Sequence, residues 1–378
     1  MYFSFTPEQA EFRASVRRFL VAQSSPAAVR RTMATPTGQD MPLWQRLNTD
    51  LGLAAVHVPE AVGGSGFGHQ ELGIVMEELG RALACVPFLA SAVLATQALL
   101  RGASAQEQAA LLPPLAQGVT TATLAWMEGP HWRGCVDIAT TARAHAGTWV
   151  LDGHKSHVVD GAGAAQVIVA ARDAGTTGDD GVALWLVDGA AAGLVRRPLA
   201  TIDTTRRLAA LTFAATPARR LGAAGSGAAA LALTLDDAAL ALAHELLGCA
   251  SVLLETSVEY ARLRMQFGRP IGSFQAIKHK CATRLLELEL ARAAVYFAAA
   301  ARDAGDSDVA ALAAQAKAQA SEAALACARE AIQIHGGIGF TWDQDTQLWF
   351  KRVTSAAVLL GDAAWHRERF LALAGQAA

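Results

Sequence analysis

The chain has 378 residues, of which 52% are apolar and 17% are charged, and its formal net charge is −2. This length is enough for two or three domains with a large core. The near-neutral balance and the lack of a Lys/Arg block argue against a nucleic-acid-binding stripe. No run of 18 uncharged apolar residues occurs, so we expect no membrane span.

Cysteine usage and the N-terminus predict a cytoplasmic protein. The cysteines are odd in number, are scattered and form no CxxC pair, which is typical of reduced thiols; they are Cys85, Cys135, Cys249, Cys281 and Cys327. The first 20 residues show no basic segment followed by an apolar one, so we expect no signal peptide. His154 and His157 form an HxxH in a predicted strand, where their side chains would point to opposite faces, so we expect no metal site.

Residues 1–118 are predicted to form an all-α domain. Thr6, Pro7 and Glu8 supply an N-cap, a first-turn proline and a first-turn acid, and so predict a helix start. The later stretch GGSGFG at 63–68 looks like a phosphate loop. It lacks the following GK[ST] and no buried strand precedes it, so we interpret it as an ordinary loop before another helix.

Residues 119–221 are predicted to form a β domain, a barrel or a sandwich. Short β-type runs separated by Gly, Asp and Pro predict its strands; they cover 119–126, 149–151, 166–171, 182–187 and 208–213. Asp152-Gly153 is predicted as a turn between two strands. The Gly/Ala-rich stretch 222–229 is predicted to be a linker.

Residues 230–378 are predicted to form a four-helix bundle. Helical patterns run near 231–264, 274–303, 308–334 and 345–373, with residues 306–308 capping the third helix. The whole chain therefore has a helix–sheet–helix order, which places it in the α+β class.

Two segments of this last domain stand out. Residues 260–275 read YARLRMQFGRPIGSFQ, and residues 331–341 read AIQIHGGIGFT. In the first, Arg264 carries a guanidinium that suits a diphosphate, and Ser273 is predicted to cap the next helix. In the second, the glycines at 336–337 end a helix and expose backbone N–H groups, which suits phosphate or ribose.

These two segments resemble the C-terminal signatures of the acyl-CoA dehydrogenase family. Residues 59–68, with the pattern PE-x-x-GG-x-G, and EELGRAL at 77–83 resemble its N-terminal domain. The resemblance implies an acyl-CoA substrate, an FAD cofactor shared across a subunit interface, and an electron-transferring flavoprotein as the re-oxidant. The positions that match the family's FAD contacts are Arg264, Phe267, Gln275, Gln333, Gly336 and Gly337. The alternative interpretation is that these are ordinary helix-end residues.

The middle domain departs from the family pattern where the flavin ring would sit. The family expects T-E-P-x-x-G-S-D and W-I-T, whereas this sequence has Met-Glu-Gly at 127–129, Arg133-Gly134, and His-Val-Val at 157–159. Met127 and Val159 carry no hydroxyl that could hydrogen-bond a flavin. The sequence therefore keeps the residues that contact a neighbour's flavin and loses those that would hold its own.

The catalytic base of the family is also missing. Its usual Glu position near the C-terminus matches Leu360, and a second location for it matches Ala238; neither side chain accepts a proton. Glu245 and Asp362 are the candidate substitutes. Either of them is alternatively structural, because a buried Glu usually pairs with an Arg.

Within the family, residues 203–207, 243–248 and 360–362 resemble the small subunits of pimeloyl-CoA-type dehydrogenases and the actinobacterial enzymes that shorten steroid side chains. In several of those systems two different chains form a heterotetramer. The main hypothesis is one half of a heteromeric dehydrogenase whose partner supplies the base and the flavin seat. Three alternatives stay open: an active homo-oligomer with an atypical base, a related flavin chemistry on the same fold, and a non-catalytic, flavin-free interaction subunit.

Overall fold

The computed structural model describes residues 5–374, and helices dominate both ends of this range. Helices precede the first strand and follow the last long one, so the predicted α+β order is confirmed. The helices are α1 (Pro7–Gln23), α2 (Pro26–Met33), α3 (Met41–Thr49), α4 (His69–Ala82), α5 (Thr96–Gly102), α6 (Ala105–Ala116), α7 (Gly227–Leu263), α8 (Gln275–Asp303), α9 (Val309–His335), α10 (Thr346–Val358) and α11 (Ala363–Ala374). A π-helical segment, Phe88–Ala95, runs directly into α5.

The strands lie between α6 and α7, apart from a two-stranded hairpin that follows α7. They are β1 (Ala122–Ala125), β2 (Thr141–His145), β3 (Thr148–Val159), β4 (Gln166–Asp173), β5 (Val182–Asp188), β6 (Leu194–Pro198), β7 (Leu208–Leu221), β8 (Met265–Gln266) and β9 (Arg269–Pro270). By contacts the chain divides into two compact units. One contains residues up to 31, 68–84 and from 239 onward, and the other contains 32–67 and 85–238. The predicted domain boundaries at 118, 221 and 230 stay predictions.

The first unit is helical and is built on closely packed alanines. Buried alanines run along α9 from Ala311 to Ala331 and point to several sides of the helix, which lets α8, α10 and α11 approach it closely. A buried carboxylate on α4 joins α1 and α8: Glu77 accepts hydrogen bonds from Arg13 at 2.6 Å, Arg292 at 3.0 Å and Tyr296 at 2.6 Å. Burial opposes ionisation of Glu77, but the two guanidinium groups and the phenol outweigh it and hold its pKa below the usual value.

The second unit is organised around a closed β-sheet. The strand order is β1-β4-β2-β3-β7-β5, and β5 pairs back with β4, so five strands form a ring, as the barrel prediction requires. Alternate residues of these strands fill the interior, where Trp185, Phe213, Leu151 and Val169 are almost fully buried. The short strands β2 and β6 escaped the sequence analysis, because five-residue strands carry little periodicity.

The predicted turn at Asp152-Gly153 is wrong, because both residues lie inside β3. The turn between β2 and β3 is Ala146-Gly147, with φ of 48° and 80°. Gly153 instead lies at a register shift between β3 and β7, with φ of 145°, and a Cβ there would lie 2.7 Å from Thr140. The Asp–Gly pair was misread because a β-bulge and a turn favour the same residue types.

Two helical predictions also need correction. The predicted fourth helix of the bundle is two helices, α10 and α11, separated by a turn in which Leu360 has φ of 63° and Gly361 has φ of 102°. Helix α7 begins at Gly227, so part of the predicted linker at 222–229 is helical. The start of α1 is confirmed: Thr6 Oγ1 accepts from the Gln9 N–H, and Gln9 accepts from the Thr6 N–H.

Helix α7 is long and apolar enough to cross a membrane by length and composition alone. Within its most apolar window, 94% of the residues are buried inside the protein. That burial is typical of a core helix, whose apolar character serves internal packing on every side.

Candidate functional site

The first of the two distinctive segments forms an exposed hairpin at the end of α7. Strands β8 and β9 pair around Phe267 and Gly268, which both have positive φ, 53° and 75°. The backbone N–H of Ile271 donates to the Arg264 carbonyl at 2.8 Å and closes the hairpin. Phe267 at its tip is 91% exposed. The hairpin therefore presents an aromatic side chain beyond the surface of the helical unit.

The second segment forms an open glycine turn at the end of α9. Gly336 ends the helix with φ of 66°, and a 3₁₀ turn over Gly336–Phe340 follows. A Cβ built at Gly336 or Gly337 meets nothing within 4 Å, so the space over this backbone is open. The Gly336 N–H itself donates to the Ile332 and Gln333 carbonyls, so an anionic or ribose ligand would meet the open backbone around Gly337 instead.

A stacked aromatic pair joins the two segments. The rings of Tyr260 and His335 have centroids 4.4 Å apart and an angle of 25° between their planes. Tyr260 precedes Arg264 by one helical turn, and His335 directly precedes Gly336. The structure therefore places the hairpin and the glycine turn beside each other, although the sequence analysis did not identify the pair. The spacing of Tyr260 from Arg264 and of His335 from the glycines shows that each aromatic residue adjoins a turn, but it does not show that the two rings meet.

The residues predicted to contact FAD are all exposed and belong to these two turns, to the last turn of α9 or to the start of α8; they are Arg264, Phe267, Gln275, Gln333, Gly336 and Gly337. Among residues 5–374, no hydrogen bond or ion pair engages the Arg264 guanidinium, which leaves it available to a ligand. One local prediction is wrong. Ser273 does not cap α8, whose N-cap is Phe274, because the Ser273 hydroxyl donates to the Pro270 carbonyl at 2.7 Å.

Several large apolar side chains near these turns are exposed. Met265, Ile338, Phe340 and Trp342 are 53%, 47%, 68% and 62% exposed. Isolated exposed apolar residues are ordinary, whereas aromatic side chains grouped around polar ligand-binding groups are typical of a surface that meets another chain. The exposed guanidinium of Arg264 and the open glycine turn carry groups that suit the diphosphate and ribose portion of a dinucleotide.

The positions that would hold a flavin ring lie in the other unit and have a different character. Val159 is fully buried, and its carbonyl accepts from the Thr123 hydroxyl at 2.6 Å. The Met127 carbonyl accepts from the Ser156 N–H at 2.7 Å. His157 has φ of 52°, and its Nδ1 lies 2.8 Å from the Ser156 hydroxyl. Neither Met127 nor Val159 offers a side-chain donor, so this unit does not fit the ring of a flavin in the family's manner.

A buried ion pair fixes the backbone beside Met127, and the sequence analysis missed it. Lys155 Nζ donates to Glu128 at 2.6 Å and to the Trp126 carbonyl at 3.1 Å, while Glu128 also accepts from the backbone N–H groups of Ala139 and Thr140. Burial lowers the pKa of Lys155 to about 8 against the attraction of the carboxylate. For Glu128, burial is outweighed by Lys155 and the N–H donors, so its pKa lies below the usual value.

The base positions of the family carry no proton acceptor here. Leu360 lies in the turn between α10 and α11, and Ala238 is fully buried in α7. Glu245 is 3% exposed, and its carboxylate lies 3.2 Å from the Arg352 guanidinium, itself buried. This geometry gives Glu245 a structural partner, which the sequence analysis named as its alternative role.

The second candidate base, Asp362, is exposed. It accepts from the Trp365 N–H at 2.8 Å and so caps α11, and it lies at the rim of a groove of about 950 Å³ along α9. The neighbouring Lys317 is fully buried and donates to the Ser321 hydroxyl and to the carbonyls of Ala357 and Gly361, which fixes the α10–α11 turn. Burial lowers the pKa of Lys317 to about 7.

Neither the histidines nor the cysteines form a second chemical centre. Within 5–374, no group of three or more His, Cys, Asp or Glu side chains is placed to hold a metal ion. All five cysteines are free thiols. His154 points its Nε2 at the Glu128 carbonyl, 2.9 Å away.

A helical unit that carries an exposed hairpin and an open glycine turn, and a second unit organised around a closed sheet, are typical of a class of flavin-dependent dehydrogenases. The chain belongs to the acyl-CoA dehydrogenase family. Residues 225–372 match the acyl-CoA dehydrogenase C-terminal domain, and residues 6–119 match the N-terminal domain. It is therefore an oxidoreductase of this FAD-dependent family, as the resemblance implied.

The chain is similar to acyl-CoA dehydrogenase IpdE2 of Mycobacterium tuberculosis, with 38% identity over 94% of this chain and 93% of that protein. Its fold matches a Tcur3481–Tcur3483 steroid ACAD variant with a TM-score of 0.87 and 33% identity, covering 98% of both chains. It also matches the ChsE4–ChsE5 complex from Mycobacterium tuberculosis, with a TM-score of 0.89 and 27% identity, covering 100% of this chain and 99% of that one.

Proposed function

We propose that this chain is the cofactor-contributing subunit of a heteromeric acyl-CoA dehydrogenase. The observation that carries the proposal is that one chain keeps the groups that suit one part of the cofactor and lacks the groups that would hold the rest of it or remove a proton. Arg264, Phe267 and the Gly336–Gly337 turn keep the groups that suit a dinucleotide diphosphate, and they stand exposed on the helical unit. Met127, Val159 and Leu360 lack the groups that would hold a flavin ring or remove a proton.

In this proposal the partner is a homologous dehydrogenase chain. It carries hydroxyl residues at the positions of Met127 and Val159 and a Glu at the position of Leu360. Bound FAD would supply the hydride acceptor for the dehydrogenation between the α- and β-carbons of the acyl-CoA, and the partner's Glu would take the α-proton. The present chain would supply the Arg264 guanidinium, the Phe267 ring and the open backbone of the glycine turn to hold the diphosphate end of the cofactor.

Two of the similar structures support an assembly of this kind, because ChsE4–ChsE5 is a complex and Tcur3481–Tcur3483 is a steroid ACAD with two named components. We accordingly propose a heterotetramer, a steroid-derived acyl-CoA as the substrate class, and an electron-transferring flavoprotein as the re-oxidant.

The test is a flavin spectrum from 300 to 550 nm, with flavin quantified against protein, for the chain alone and for the chain co-expressed with such a partner. We expect a colourless chain alone and about one FAD per pair of chains in the complex. Arg264→Ala is expected to lower the FAD content of the complex, while Arg262→Ala, which changes another exposed arginine at the end of the same helix, leaves it unchanged.

Two results would overturn the proposal in different ways. A chain that alone binds about one FAD per subunit and dehydrogenates an acyl-CoA is an active homo-oligomer. Loss of its turnover in the combined variant Glu245→Gln/Asp362→Asn would then show that one of these carboxylates is the base. A complex that stays colourless with every homologous partner makes the chain a flavin-free interaction subunit.

A further inference from the structure

The hairpin and the glycine turn of the helical unit follow helices that are far apart in sequence, so the distance between the two turns depends on contacts between those helices. Each turn is tied to the end of its own helix. The Arg264 N–H donates to the Tyr260 carbonyl at 2.8 Å, and the Ile271 N–H donates to the Arg264 carbonyl, so the hairpin is tied to Tyr260. The glycine turn begins at the residue after His335. Tyr260 and His335 are therefore the last rigid points before each turn.

These two residues meet. Their rings stack with centroids 4.4 Å apart, His335 is 5% exposed, and its Nδ1 lies 2.8 Å from the Ala331 carbonyl, which fixes the ring orientation. The glycine turn also folds back over the His335 side chain. A Cβ at Gly339 would lie 2.8 Å from His335 Cβ, so only glycine permits this approach.

We infer that Tyr260 and His335 are positioning residues for the cofactor, because their stack sets the distance between the Arg264 hairpin and the Gly336–Gly337 turn. The inference rests on the proposed function, since it concerns the way this chain contributes to FAD binding. Two turns that must contact one ligand together lose affinity when the distance between them is free to vary, because the ligand must then order them on binding.

The experiment titrates the flavin-depleted complex of this chain and its partner with FAD and follows the quenching of flavin fluorescence. Aromatic pairs contribute an amount that corresponds to about two- to tenfold in an equilibrium constant, so Tyr260→Leu and His335→Leu are each expected to raise the FAD dissociation constant by roughly that factor. The double variant is expected to add little beyond either single change, because both remove the same stack. Tyr260→Phe and His335→Phe keep a ring and are expected to retain near-wild-type affinity.

A matched control lies in the same helical unit. His244 on α7 stacks on Tyr296 on α8 with centroids 5.6 Å apart, and neither residue adjoins the two turns. His244→Leu is expected to lower the melting temperature and leave the FAD dissociation constant unchanged. If Tyr260→Leu raises the constant no more than His244→Leu does, or if Tyr260→Phe weakens binding as much as Tyr260→Leu, the positioning role is refuted while the proposed function stands. A wild-type complex without FAD affinity refutes both.

Discussion

Replacing Glu128 with Gln tests whether the Lys155–Glu128 pair holds together the segment that precedes Met127. Lys155 is fully buried, so the substitution removes its counter-charge without giving the ammonium access to water. Its pKa is about 8, against 10.5 for an exposed lysine. Keeping the ammonium charged in the interior therefore already costs about 3 kcal/mol of folding free energy at neutral pH. In the Glu128→Gln variant the pKa of Lys155 falls further. Once it is below 7 the amine is neutral at pH 7, so the additional loss of folding stability from Lys155 is limited to about 1.4 kcal/mol.

The remaining loss comes from Glu128 itself. Its carboxylate accepts from the backbone N–H groups of Ala139 and Thr140, and one of these oxygens becomes an NH₂ donor in the variant. Hydrogen bonds to charged groups contribute about 1.5–3 kcal/mol, so we expect a total loss of roughly 3–4 kcal/mol at pH 7. Urea unfolding of the chain, followed by tryptophan fluorescence, measures this loss.

The stability lost in Glu128→Gln is expected to become smaller at high pH. Between about pH 8 and 10.5 the unfolded chain holds a proton on Lys155 that the folded chain lacks, so wild-type stability rises with pH in that window. At pH 10 the neutral amine no longer needs the carboxylate, and the deficit of Glu128→Gln is expected to shrink by about 1 kcal/mol. Asp50→Asn, which breaks the exposed pair with Arg46, is the control and is expected to lose less than about 1 kcal/mol. A Glu128→Gln loss below about 1 kcal/mol at pH 7 would refute this account.

Three further predictions follow from other residues. Glu245→Gln removes the charge facing buried Arg352 and is expected to destabilise the chain by roughly 3 kcal/mol, while the folded heteromer keeps its turnover. A thermal melt and a dehydrogenase assay measure the two effects. Unchanged stability with lost turnover would identify Glu245 as the base. Gly153→Ala forces a Cβ against Thr140 at φ of 145° and is expected to lose about 1–3 kcal/mol in urea unfolding. Lys317→Met is expected to remove part of the rise in stability between pH 7 and 10.5, because burial holds the folded pKa of Lys317 near 7; an unchanged pH profile would contradict this.

Much of the fold was readable from local sequence patterns. The overall helix–sheet–helix order, the capping of α1 by Thr6 and the end of α9 at Gly336 depend on residues close together in the chain, and the structure confirms these three predictions. The errors were local as well. The turn assigned to Asp152-Gly153 and the cap assigned to Ser273 are places where one residue type serves two backbone geometries, and only the pairing of neighbouring strands or helices selects one of them.

By itself the sequence determined which chemical groups this chain has and lacks: a guanidinium at Arg264, no hydroxyl at Met127, and no carboxylate at Leu360. Only the tertiary structure decided which groups meet. Glu245 and its partner Arg352 are 107 residues apart, and Lys155 and Glu128 are 27 apart. Side-chain periodicity reports which face of an element is buried but not what lies against it, because that depends on the packing of elements distant in the chain. The Tyr260–His335 stack, which brings the two distinctive turns side by side, is visible for the same reason only in the folded protein.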